Sequence, residues 1–185
     1  MEPVRLVTHN GGFHADDVFA CATIALVLEN EGKLFTITRT RDEATITEGT
    51  IVFDVGGIYD ENIDRYDHHQ EGGAGVRPDG IPYASFGLVW KKYGKLLVDD
   101  EKVFARLEQH IVEPIDAFDN GIDLFTPTKK DIWPFTINTI VGMFNAVWNE
   151  QEETNDEHFA HVVGMAKEIL ARAIVAARSN VEVEE

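Results

Sequence analysis

The stretch from Asp17 to Asn30 sets the terms for the fold, because Val18, Phe19, Ala20, Ile24, Leu26, Val27 and Leu28 leave a helix almost no polar side. A helix of that kind needs cover all round, as when it packs on a sheet beneath other elements. β-rich runs bracket it, Val4 to Thr8 before and Leu34 to Thr40 after, and a third, Thr50 to Val55, follows. Each is bounded by Gly, Asn or charged residues, as strands usually are. Strand, helix, strand and strand again predict an α/β fold on a parallel sheet flanked by helices, with right-handed crossovers.

Beyond this unit the pattern turns helical. Gln70 to Pro82, rich in Gly and Pro, reads as a long loop of the kind that often serves function. Helices are expected from Ser85 to Tyr93, ending at Gly94, and from Glu101 to Val112, before Pro114. Two more are expected over Ile137 to Trp148 and His158 to Arg178. The latter carries an apolar stripe at helical spacing through Phe159, Val162, Val163, Ala166, Ile169, Leu170, Ala173 and Ile174. The acidic tail, Val181 to Glu185, is expected to fray. A chain of 185 residues suits one domain, here residues 1–185 with a helical C-terminal part.

Charge and composition narrow the partners. With 33 acidic against 16 basic residues, the net charge of -17 offers no broad cationic surface. Binding to extended duplex DNA relies on such a surface. A phosphorylated small molecule or a short single-stranded oligonucleotide fits better. No apolar run is long enough to span a membrane, and the segment Met1 to Arg5 lacks the basic and apolar features of a secretory signal. The single cysteine, Cys21, has no internal partner, so a reducing, cytoplasmic setting is expected.

Four short strings carry the chemistry. The first, His9-Asn10-Gly11-Gly12-Phe13-His14-Ala15-Asp16-Asp17, lies where the first strand hands over to the buried helix. Ligands of open α/β sheets collect beyond the carboxyl ends of the strands. Gly11 and Gly12 allow a sharp turn, so that His9, His14 and Asp16 converge. Two imidazoles and a carboxylate suit a first-row transition ion. One of Asp16 and Asp17 can be spent on capping the helix, which leaves both histidines unexplained.

The second string, Phe53-Asp54-Val55-Gly56-Gly57, ends an apolar strand on a carboxylate placed to bridge two cations; alone it is also an ordinary Asp-Gly turn. Arg65-Tyr66-Asp67-His68-His69-Gln70 sets two imidazoles side by side, with Asp67 able to fix a tautomer from behind. Asp116-Ala117-Phe118-Asp119-Asn120-Gly121 reads by itself as a helix end with an Asn-Gly turn. In company with the other three, Asp119 becomes a ligand candidate.

In this order the strings resemble the DHH phosphoesterase superfamily, and within it the MYG (melanocyte-proliferating-gene-type) branch. Similarity extends to Thr38-Arg39-Thr40-Arg41-Asp42, Ser85 to Gly94 and Asn145-Ala146-Val147-Trp148-Asn149, so it covers nearly the whole chain. The resemblance implies a DHH-type domain holding two divalent cations, usually Mn2+, with Mg2+, Co2+ or Zn2+ as options. One cation would sit on His9, His14 and a bridging Asp54, the other on Asp16, Asp54, His68 and Asp119. His69 would face the substrate phosphate, and Asp67 would support the histidine pair. The expected catalytic set is therefore Asp54, Asp67, His68 and His69.

His14 stands where most of the superfamily has Asp, a change that the MYG branch shares. The branch normally continues into a second, substrate-binding domain, which the expected single domain lacks. The expected reaction is hydrolysis of a phosphodiester or phosphoanhydride, in the manner of a 3'-5' exonuclease on short RNA. A non-catalytic module that binds metal or nucleotide and acts through a partner is the alternative, and a homo-oligomer is compatible with either. Arg39, Arg41 and Arg77 are candidates to neutralise substrate phosphate, although for each a solvated surface position is the commoner fate of arginine.

Overall fold

A computed structural model describes residues 2–150 and 154–184. Strands β1 (Val4–Thr8), β2 (Phe35–Arg39), β3 (Ile51–Phe53), β4 (Tyr59–Asp60) and β5 (Arg65–Tyr66) form a single sheet in the order β2-β1-β3-β5-β4. Leu6 pairs with Ile51 and Val52 with Arg65; β1, β2, β3 and β5 run parallel, and only β4 is antiparallel, against β5. The carboxyl ends of the three adjacent strands β1, β3 and β5 therefore meet at one edge.

Helix α1 (Ala15–Asn30) links β1 to β2 and is buried from Ala15 through Ala25, as its uniformly apolar sequence requires. The main core gathers Leu6, Ile51, Phe53 and Tyr66 from the sheet with Phe19, Ile24, Trp90 and Leu170 from the helices. Val7, Val52 and Val55, which alternate onto the other face, pack with Ile46 of the short helix α2 (Glu43–Glu48). Most helical mass thus lies on one face.

The later helices depart from the expected bounds in instructive ways. Helix α3 (Ser85–Val89) does not end at Gly94; it runs through a π-helical turn, Trp90–Gly94, into α4 (Lys95–Leu97). Helix α5 (Glu101–Leu107) likewise passes a π-helical turn, Glu108–Val112, into α6 (Glu113–Asp119), so Pro114 begins a segment instead of stopping one. A proline ring clashes with the carbonyl four residues back in a regular helix, and it lacks an N–H. The wider turn, in which Glu113 N–H reaches the Glu108 carbonyl, accommodates both.

Helix α7 (Ile137–Gly142) stops well short of Trp148, and α8 (Thr154–Glu184) extends past Arg178 at its far end. The tail does not fray over its described residues, because Val181 is buried and Glu184 pairs with Arg106 at 2.8 Å. Glu185 lies outside the described residues. No described helix is long and apolar enough to cross a membrane.

Candidate metal centre

The shared edge of β1, β3 and β5 decides what meets. His9 follows β1 directly, Asp54 follows β3, and Asp67, His68 and His69 follow β5. Gly11, at φ +87, lets the chain double back from His9 to the start of α1; Gly12 has no positive φ and instead stands against Asn145. Asp54 itself adopts φ +54, a left-handed conformation that aspartate tolerates better than most residues. Strained backbone of this kind concentrates at functional sites.

Asp54 is the junction. Its Oδ2 lies 3.2 Å from His9 Nε2, and its Oδ1 lies 3.4 Å from His68 Nε2 and 3.5 Å from His69 Nδ1. Burial alone would raise its pKa, but the neighbouring His68 and His9 outweigh burial and hold the carboxylate well below its ordinary range. His68 Nε2 is also 3.2 Å from Asp119 Oδ2. For His68 too burial opposes the charge, and the carboxylates of Asp119 and Asp54 override it, raising the imidazole to about 11.

Among the described residues, three sets of side chains bring potential ligand atoms close enough to share an ion: Asp54 with His68 and His69, His9 with Asp17 and Asp54, and Asp16 with His68 and Asp119. They overlap at Asp54 and at His68. Burial raises Asp16 well above the usual carboxyl range, and the negative charges of Asp54, Asp119 and Asp116 push further. Asp17 is raised to about 7, by burial first and by Asp54 next. Carboxylates that repel one another in a buried cluster are relieved by a cation. Among the described residues, two buried atoms of these sets, Asp17 Oδ2 and His68 Nε2, have no hydrogen-bond partner, so the donor set fits divalent ions.

Five of the six expected metal residues, His9, Asp16, Asp54, His68 and Asp119, fall into these sets. His14 stands at the mouth, its side chain 65% exposed, with Nδ1 4.0 Å from Asp119 Oδ1 and its ring centroid 6.2 Å from that of His9. Asp17 takes a place that sequence reasoning gave only to a cap. Its Oδ1 accepts the His14 and Val18 N–H groups while Oδ2 turns to His9 at 3.4 Å. One carboxylate thus does both jobs. Asp16 meanwhile accepts the Ser85 and Phe86 N–H groups at the start of α3, at 3.0 and 2.6 Å. Ser85 Oγ also donates to Asp54 at 3.5 Å. That serine sits in one of the strings that carried the resemblance, although nothing in its spacing pointed to the centre.

Asp67 contacts His69, the second of the two adjacent histidines. Its Oδ1 accepts from the His69 ring nitrogen at 2.7 Å, and its Oδ2 accepts the Gly57 N–H at 2.6 Å. The hydrogen bond that His69 donates to Asp67 is the main cause raising the His69 pKa. The His69 side chain is 63% exposed and lines the cleft.

The three arginines separate. Arg39 is not solvated: it donates to Gly11 O at 2.7 Å and to Asp156 at 2.8 Å, and its guanidinium lies over Phe13 and Phe159. Arg77 is equally committed, to Glu108 at 2.7 Å and Asp116 at 2.8 Å. Arg41 is exposed and lines the cleft of about 640 Å³ that holds His9, His14, Asp54, His69 and Asp119.

Fold and site together define an α/β protein with a histidine–aspartate centre suited to divalent cations. The chain belongs to the MYG1 family: the model described as Uncharacterised protein family (UPF0160), MYG1_exonuc, matches residues 5–185. It is 33% identical over 188 residues to the MYG1 exonuclease of Homo sapiens, covering 91% of this chain and 49% of that protein. It is 32% identical over 184 residues to a MYG1 protein of Caenorhabditis elegans, covering 90% and 54% respectively. The chain spans about half the length of the curated relatives it matches. No solved structure matches it.

Proposed function

We propose that the chain is the catalytic domain of a two-metal phosphoesterase of the DHH superfamily, acting on short single-stranded RNA or a small phosphorylated compound. The observation that carries this is Asp54, whose two oxygens face His9 on one side and the histidine pair on the other. Such a carboxylate is placed to serve two cations at once. His9, Asp17 and Asp54, with His14 at the mouth, would hold one ion. Asp16, His68 and Asp119 would hold the second beside Asp54. The mixed nitrogen and oxygen donors suit Mn2+ and accept Mg2+, Co2+ or Zn2+.

Bound divalent cations supply a water of lowered pKa and neutralise phosphoryl oxygens. The protein does the rest. Asp67 fixes the His69 ring and favours its protonated form, so His69 offers positive charge to a phosphate entering the cleft. Arg41 adds a second cation at the rim. The exonuclease name borne by mammalian relatives supports a nucleic-acid substrate, and the net charge of -17 favours a short one.

Turnover of bis-p-nitrophenyl phosphate with added Mn2+ tests this reading. Hydrolysis that drops at least about 100-fold in Asp54→Asn and His68→Ala supports it. Full metal loading with no turnover would point to the non-catalytic module instead.

A further inference from the structure

A second cleft, also about 640 Å³, opens from the metal cleft and shares Arg41, Val55 and Gly56 with it. Gly56 forms the sill between them; at φ +99 it carries no side chain, and a Cβ there would stand 3.1 Å from Ile46. Beyond the sill the walls are Ile46, Ile58 and Ile63, with Glu43 and Thr47 at the rim. Ile58 and Ile63 are 51% and 56% exposed, and neither belongs to a core cluster, so folding does not account for them.

Two arginines border this space and differ in kind. Arg65 is spent on the chain, donating to the carbonyls of Thr47, Gly49 and Ile63. Arg41, at the junction, has no ion-pair or hydrogen-bond partner among the described residues. An unpaired guanidinium beside a carboxylate-rich centre, in a chain of net charge -17, is free to take an anion from outside.

We propose that the second cleft is a nucleoside subsite: Arg41 grips phosphate at the junction, and the attached base and ribose rest on Ile58 and Ile63. This rests on the phosphoesterase reading and adds which side of the phosphate carries the recognised group. A nucleoside has flat apolar faces and polar edges. The cleft matches it with apolar walls and two polar groups, the Glu43 carboxylate and the Thr47 hydroxyl, able to meet ribose or base donors. Its volume falls within the range of ordinary small-ligand sites.

Calorimetric titration of the full chain with adenosine monophosphate and with inorganic phosphate, both in Mg2+, tests the subsite. The monophosphate should bind at least about tenfold tighter than phosphate. The double variant Ile58→Ser/Ile63→Ser should erase most of that difference while leaving inorganic phosphate affinity within about twofold. Equal affinity of the two ligands for the wild type, or an unchanged difference in the double variant, overturns the subsite. The two readings fail separately. Ester turnover without nucleoside preference removes the subsite alone; nucleoside preference without turnover of any ester removes the catalytic reading and leaves the subsite.

Discussion

The side-chain amide of Asn145 grips the backbone of Phe13 in both directions: Phe13 N–H donates to Asn145 Oδ1 at 2.7 Å, and Asn145 Nδ2 donates to the Phe13 carbonyl at 2.9 Å. The turn after α7 thereby holds the loop that carries His9 and His14. Arg39 braces the same loop from the other side, through Gly11 O and Asp156 of α8. Helical segments remote in sequence thus set the shape of the loop between β1 and α1.

Asn145→Ala should loosen that loop without touching a ligand. Loss of two partly buried hydrogen bonds is expected to cost about 1–3 kcal/mol. Urea denaturation measures this, and calorimetry should show Mn2+ affinity falling several-fold. Unaltered metal affinity would contradict the bracing role.

Gly87 lies against the buried pair Asp116 and Arg77, and its N–H donates to Asp116 Oδ1 at 3.0 Å. A Cβ at this position would collide with the Asp116 carboxylate and the Arg77 guanidinium. Gly87→Ala should therefore destabilise the chain by about 3 kcal/mol or more, because overpacking here also breaks a buried ion pair. Chemical denaturation checks it; a variant as stable as the wild type would show that α3 can shift freely.

Asp64 accepts three hydrogen bonds on one oxygen, from Tyr66 and Tyr93 at 2.8 Å and Lys92 at 2.7 Å. Partial burial raises its pKa, but Lys92 and the two phenols overcome this and lower it below the ordinary carboxylate value. A depressed folded-state pKa means that its stabilisation is present above the unfolded value, near 3.9, and disappears as pH falls through the folded value. Wild type and Asp64→Asn should differ by about 1–2 kcal/mol at pH 7 and converge as pH falls below the ordinary carboxylate range. A difference independent of pH would contradict this.

The sheet and its first helix were readable because their signals are local. A helix apolar all round and three β-rich runs leave few other arrangements, and β1 has the expected bounds. β4 and β5 were not readable, since strands of two residues carry no periodicity and form through pairing alone. Helix ends failed where tertiary contacts decide them: Asn145 leaves the helical path to hold Phe13, and Val181 stays helical because it is buried. At the site, the histidines and carboxylates stood out by residue type. The dual role of Asp17 and the commitment of Arg39 did not, because residue type says nothing of which oxygen or guanidinium is already engaged.

Metal content of purified variants after Mn2+ incubation tests the central claim most directly, since it reads Asp54 as the ligand common to both ions. Wild type should take up two ions per chain, Asp16→Ala should retain about one, and Asp54→Ala should retain almost none. No uptake by the wild type, or equal losses in the two variants, would contradict the account.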